Sequence, residues 1–316
     1  MSDSNKAAST EELIAMTDLE LALYLADISD QISSARFQAV DLHVETKPDL
    51  TPVSDADKAI EEQIRRVLAV ARPGDQIVGE EFGSGDKSGR YWVIDPIDGT
   101  KNFVRGVPVW ASLIALMERS EVLVGVVSAP ALFRRWYASK GGGAFLTLNM
   151  GFLGALSEGL SAGVNVGVNV GANVGANVGA TSALHGGATG TRRLQVSAVT
   201  KLEDASLSIS TFASPTTGNR NDGWGALHPG LLKLAEKVWR TRGDGDFWSH
   251  LLVAEGAVDC ALEPKLALWD MAPLSIIVHE AGGSFTDFTG ASGPNGPNGI
   301  SSNGALHQEI LTYFPS

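Results

Sequence analysis

"VIDPIDGTKNF", residues 93–103, follows Tyr91 and Trp92 in an apolar, strand-like run that ends in two aspartates, Asp95 and Asp98. An unpaired buried charge costs on the order of several kcal/mol, so something must meet these carboxylates. Pro96 lies between them and fixes one backbone angle. That restraint lets both carboxylates and the Ile97 carbonyl converge on one point. Gly99 and Thr100 then open a helical turn whose first N–H groups lack intrahelical partners and suit a phosphate.

Other acids stand at the ends of expected elements: Glu80 and Glu81 after the strand "QIV", and Asp270 at the start of "WDMAPLSIIVHEAGG". Carboxylate and carbonyl oxygens are what hard divalent cations bind, and Mg2+ in particular joins such groups to a substrate phosphate. Taken singly, each acid reads first as a cap or a solvated strand end. The compact spelling "DPIDGT" is what turns the reading toward a cation.

The whole chain allows this. With 316 residues, 44% hydrophobic and 19% charged, it is long enough for one large domain or two lobes with a full core. No window approaches the ~18 apolar residues of a membrane span. The net charge of −12 argues against nucleic acid or an anionic membrane as partner. A single cysteine, Cys260, and the polar start "MSDSNKAAST" lead us to expect a reducing cytoplasm, with no internal disulfide and no signal peptide.

Along the chain, apolar positions at helical spacing predict one long helix over 11–36 and another after Ser54 or Asp55, with Ile60, Ile64, Val67 and Leu68 on one face. "HVETKPDLTPV" reads as a short strand and turn. Residues 108–145 read as three consecutive antiparallel strands. From Ser161 to Ala180 a four-residue period takes over, with glycine at 163, 167, 171, 175 and 179. A segment without charge, aromatic or large apolar side chains cannot offset its ordering entropy, and it reads as an inserted flexible loop, with a small Gly/Val β-ribbon or a self-association strip as the alternative. Strands and helices alternate again through "SLSIS", "HPGLLKLAEKVW", "FWSHLLVAEG", "AVDCALEP" and the segment carrying Asp270. The sum is a layered mixture of α and β.

"GEE", "DPIDGTKNF" and "WDMAPLSIIVHEAGG", in that order, resemble the inositol monophosphatase superfamily of metal-dependent, lithium-sensitive phosphatases. The likeness covers nearly the whole chain outside the N-terminal tail and about residues 149–191. It implies a layered αβαβα sandwich and a phosphomonoesterase assisted by two or three Mg2+ ions. It also implies that Glu80, Asp95, the Ile97 carbonyl, Asp98 and Asp270 are metal ligands. Asp57, in "VSDADKAIEE", matches the aspartate that works with the motif threonine, here Thr100, to activate water; its plain reading is a surface position in a helix's first turn. Gly99 and Thr100 match the phosphate-binding turn, and Glu81 supports Glu80. The expected division is a tail (1–10), a metal and phosphate lobe (11–148), the insert (149–191) and a substrate lobe (192–316), in a homodimer.

The motifs leave the alcohol open. Asp246, just before a helix, stands where inositol-directed relatives usually carry a small neutral residue. Glu263 matches a position that contacts the alcohol part of the substrate. Two carboxylates there suit an amine or imidazole better than a polyol, and "RGVPVWASLIAL" with "VVSAPALFRRWYASKGGGAF" resembles the histidinol-phosphate phosphatases of actinobacteria. Inositol 1-phosphate, fructose 1,6-bisphosphate and nucleotide 3′-phosphates stay open as substrates, as does a non-catalytic metal or phosphate sensor on the same fold.

Overall fold

The computed structural model describes residues 8–48, 51–149, 189–210 and 224–314. The long helix expected over 11–36 is two helices, α1 (Thr10–Ala15) and α2 (Asp18–Arg36). Thr17 breaks it by capping the second: its N–H donates to the Glu20 carboxylate at 2.8 Å, while its hydroxyl oxygen accepts from Glu20 N–H at 3.3 Å. That reciprocal box satisfies two orphan donors and restarts the helix in a new direction.

A small hairpin, β1 (Val44–Thr46) and β2 (Pro52–Ser54), runs directly into α3 (Asp55–Ala71). Next come β3 (Gln76–Gly79), β4 (Gly83–Ser84), β5 (Arg90–Asp98), the short α4 (Thr100–Val104), and the meander β6 (Ala111–Glu118), β7 (Glu121–Ala129), β8 (Arg134–Ser139), β9 (Gly143–Asn149) and β10 (Thr189–Arg193). The three strands expected over 108–145 are thus four, because β9 starts within that range. β9 and β10 pair from Thr189 opposite Asn149 onward, so strand reaches into both ends of the interval 149–191. The four-residue repeat lies outside the described residues. The chain continues through β11 (Ser206–Ile209), α5 (His228–Ala235), β12 (Arg240–Arg242), α6 (Asp246–Ala254), β13 (Cys260–Glu263), α7 (Leu268–Glu280), β14 (Ser284–Thr286), β15 (Gly299–Ser302) and α8 (His307–Leu311).

These elements stack in five layers. α2 and α3 cover one face of an eight-stranded sheet ordered β10-β9-β8-β7-β6-β5-β3-β4, where Leu21, Leu25, Ile60 and Ile64 pack on Trp92, Ile94 and Ile114. α6 and α7 lie between its other face and a five-stranded sheet ordered β12-β11-β13-β15-β14. α5 and α8 close the far side through Leu231, Leu234 and Ile310. The arrangement is the αβαβα sandwich expected. β5 is buried on both faces along almost its whole length, which explains its unbroken apolar run.

Two close approaches position the site. α7 presses on β7 so tightly that a methyl on Gly125 would stand 2.5 Å from Ile276 Cγ2 and 2.9 Å from the Pro273 backbone. The second is a fault in the β5–β6 ladder. Asp95 pairs with Leu113 and Asp98 with Ala111, so three steps on β5 oppose two on β6. That is a β-bulge, and Ser112 fills it by donating its hydroxyl to the Pro96 carbonyl at 2.6 Å.

Candidate active site

In a regular strand, residues three apart point to opposite faces. The bulge cancels that parity: its extra residue brings Asp95 and Asp98 to one side at the strand's end. Asp270 arrives from the first turn of α7, held by the Ala267 N–H donating to its Oδ2 at 2.7 Å. One oxygen from each of Asp95, Asp98 and Asp270 lies within 4.8 Å of the others. Backbone N–H groups offset part of this charge, among them Ile97 N–H on Asp95 (3.0 Å) and Phe247 N–H on Asp98 (2.8 Å).

Burial and mutual repulsion therefore raise all three. Asp95 is driven well above the usual carboxylate range by burial, then by the charges of Glu80, Asp98 and Asp270. Asp98 rises likewise, by burial and then by Asp246 and Asp270. Burial first, with Glu263 and Glu80 beyond it, lifts Asp270 to about 7. Oxygen-only donors held together against their own repulsion fit a hard divalent cation.

Glu80 follows β3, with its own N–H on Ile94 O at 3.2 Å. Lys47, from the β1–β2 hairpin, donates to Glu80 Oε1 and Glu81 Oε1 at 2.6 Å each. Burial by itself would lower the pKa of this ammonium, but the two carboxylates outweigh burial and raise it. Nothing in the local sequence around this lysine says that the hairpin folds over Glu80.

Asp57 is not on the surface, as its helical position alone suggested. It is fully buried at the start of α3, where Ser54 donates its N–H (2.8 Å) and hydroxyl (2.5 Å) to Oδ2. Oδ1 lies 3.5 Å from Thr100 Oγ1, which donates to Ile97 O at 2.9 Å. Burial, partly opposed by Ser54, raises Asp57 to about 6. Gly99, with φ of +80°, forms the left-handed corner that starts α4 at Thr100.

Asp246 and Glu263 meet at the same end of the molecule. Asp246 has φ of +49°, unusual for a residue with a side chain, and such strain collects at functional sites. Its Oδ2 accepts from Asn102 Nδ2 at 3.3 Å. Burial and then Glu263 raise Asp246 to about 7, and burial raises Glu263 to about 8. Glu263 Oε2 has no hydrogen-bond partner among the described residues; it lies 3.6 Å from His250 Nε2, which also has none. Burial holds His250 down at about 4, and its Nδ1 pairs with Ser301 Oγ at 2.8 Å. Asn102 and His250 gave no signal in the sequence because their partners are distant along the chain.

A profile of the inositol monophosphatase family matches residues 12–315. The chain is 47% identical over 300 residues to a histidinol-phosphatase of Mycobacterium tuberculosis, covering 93% of this chain and 96% of that one. It is also 47% identical over 302 residues to a histidinol-phosphatase of Streptomyces coelicolor, covering 94% and 97%. Among solved structures, a Thermotoga maritima IMPase superposes with a TM-score of 0.71 at 28% identity, covering 95% of this chain and 97% of that one. With the five-layer fold and the acids gathered at the β5 bulge, these matches show that the chain belongs to the inositol monophosphatase family.

Proposed function

We propose that this chain is a Mg2+-dependent phosphomonoesterase that hydrolyses L-histidinol phosphate to L-histidinol and inorganic phosphate, acting as a homodimer on the family resemblance. The observation that carries it is the adjacency of two carboxylate groups with different needs. Asp95, Asp98 and Asp270 gather carboxylate oxygens at the end of β5, next to α4. Beside them, Asp246 and Glu263 present buried acid toward the alcohol half, and Glu263 Oε2 has no hydrogen-bond partner among the described residues. The histidinol-phosphatase relatives at 47% identity support the same substrate.

Glu80, Asp95, Asp98 and Asp270, with the Ile97 carbonyl, would hold two or three Mg2+ ions. When bound, Mg2+ supplies the charge that acidifies water, polarises the phosphoryl group and stabilises the departing alkoxide. The chain's own residues do the rest. Asp57 takes the proton of the attacking water at Oδ1, the oxygen that Ser54 leaves free, and a pKa near 6 suits a base working near neutrality. Thr100 has its hydroxyl proton committed to Ile97 O, so its oxygen faces the water as an acceptor and orients it. The backbone at Gly99 and Thr100 receives the phosphate. Asp246 and Glu263 pair with the protonated amine or imidazole and exclude neutral alcohols, which cannot repay the desolvation of an acid.

Phosphate release from histidinol phosphate and from inositol 1-phosphate, at equal concentration with and without Mg2+, tests the proposal. Mg2+-dependent release favouring histidinol phosphate is expected. Equal rates, or a preference for inositol 1-phosphate, would overturn the substrate; release unaffected by chelator would overturn the metal.

A further inference from the structure

We infer that Glu61 is a positioning residue for the metal site, setting its Mg2+ affinity through the turn that carries Glu80 and Glu81. The inference rests on reading the acid cluster as a Mg2+ site. Glu61 lies on α3 one turn after Asp57 and is fully buried. Its Oε2 accepts from the Glu81 N–H at 2.8 Å, and its Oε1 accepts from the Phe82 N–H at 3.2 Å. Arg65, one turn further on, donates Nε to Glu61 Oε1 at 2.8 Å and Nη2 to the Gly83 carbonyl at 3.0 Å. Glu80 N–H is tied to β5. Every backbone unit from Glu80 to Gly83 is therefore pinned, two of them by one carboxylate.

The packing leaves this carboxylate nowhere else to go. A methyl on Gly79 would stand 1.9 Å from Glu61 Oε1 and 2.6 Å from Oε2, so the glycine beside Glu80 is the space that Glu61 occupies. Without the clamp, two partly buried N–H groups lose their acceptor and Arg65 loses its counter-charge. The turn would then relax, and Glu80 would have to be ordered at the moment a cation binds. Groups that orient ligands in this way typically change metal affinity by ~10–100-fold when removed. Because α3 also carries Asp57, one helix fixes both the base and the metal-binding edge.

Calorimetric titration of Mg2+ into metal-free wild type, Glu61→Gln and Gly79→Ala tests this. A glutamine at 61 must turn its NH2 toward a donor, and an alanine at 79 pushes the native carboxylate off its N–H partners. Both variants should bind Mg2+ about 10-fold or more weakly, with kcat at saturating Mg2+ within roughly threefold of wild type. A packing role alone would lower the melting temperature of the metal-free variants and leave the Kd of the folded protein unchanged; that result overturns the inference. Should Glu61→Gln fail to fold, Gly79→Ala keeps Glu61 itself and carries the test. If wild type binds no Mg2+, the metal reading fails; if it binds and the variants match it, only the role of Glu61 fails.

Discussion

Glu263→Gln separates substrate recognition from the rest of the site. The side chain is nearly buried, and its Oε2 is left with His250 Nε2 at 3.6 Å, too far for a hydrogen bond. Ser210 hydrogen-bonds the same carboxylate, but Oε2 has no partner among the described residues, so a cationic group arriving there meets an acceptor oxygen with no bond to break. A charge-assisted hydrogen bond of that kind contributes about 1.5–3 kcal/mol, which at 1.36 kcal/mol per decade is roughly 10- to 100-fold in kcat/KM. Asp246 already accepts from Asn102, so Asp246→Asn should fall at the lower end of that range. The assay compares kcat/KM for histidinol phosphate with that for p-nitrophenyl phosphate in each variant. That ester carries no cation on its alcohol half, makes no such contact and should change only a few-fold. Parallel loss of both substrates would refute the reasoning, since a fault in folding or metal binding depresses them together. No loss on histidinol phosphate would refute it equally.

Three other outcomes follow from the geometry. Asp95→Asn should leave the protein folded and lower kcat/KM by roughly 100-fold or more, because an amide cannot supply the charge that holds a cation; wild-type turnover in Mg2+ would refute the ligand role. Asp246 and Asp270 stand at about 7 and Glu263 at about 8, above the unfolded range near ~4, so the native metal-free protein holds protons that the unfolded chain releases. Its melting temperature in chelator should fall as pH rises from about 5 to 8 and fall less steeply in Mg2+; a rise across that window in chelator would contradict the buried, unpaired cluster. Ser112→Ala strands the Pro96 carbonyl inside the bulge and should destabilise the protein by about 1–3 kcal/mol in urea unfolding, with weaker Mg2+ binding; an unchanged midpoint would show that the bulge does not need its hydroxyl plug.

Much of the candidate site was legible because its parts are contiguous in the chain. Asp95, Ile97, Asp98, Gly99 and Thr100 fall within six residues, so one bulge and one turn gather them. Asp57 was legible as a candidate but not as a buried group; the Ser54 box that holds it is made as the hairpin meets α3. Lys47, Asn102 and His250 act across long sequence separations, and no local pattern encodes such meetings. Glu61 is an intermediate case. Four residues after Asp57, it shares a helix face with a catalytic candidate, yet an acid there reads equally well as a solvated position until the Glu80 turn packs over it. The α1–α2 break was also written in the chain, as Thr17 with Glu20 three residues on, but the regular apolar spacing on both sides hid it.

In the proposed metal site, the bulge ties ion binding to the breathing of the sheet. Asp95 and Asp98 converge only while Leu113 and Ala111 hold their places opposite them, so a slip or local melting of β5 from β6 disperses these carboxylates. Linkage then requires the converse. Mg2+ at 100 times its Kd stabilises the paired state by about 2.7 kcal/mol against any opening that destroys the site. Amide protons of β6 around Ala111–Leu113 that exchange through that opening should slow by roughly 100-fold in Mg2+. Those that exchange by fraying at the distant β6–β7 turn, near Glu118 and Glu121, should not respond. Deuterium uptake along a single strand would thereby map how far the hold of the cation extends.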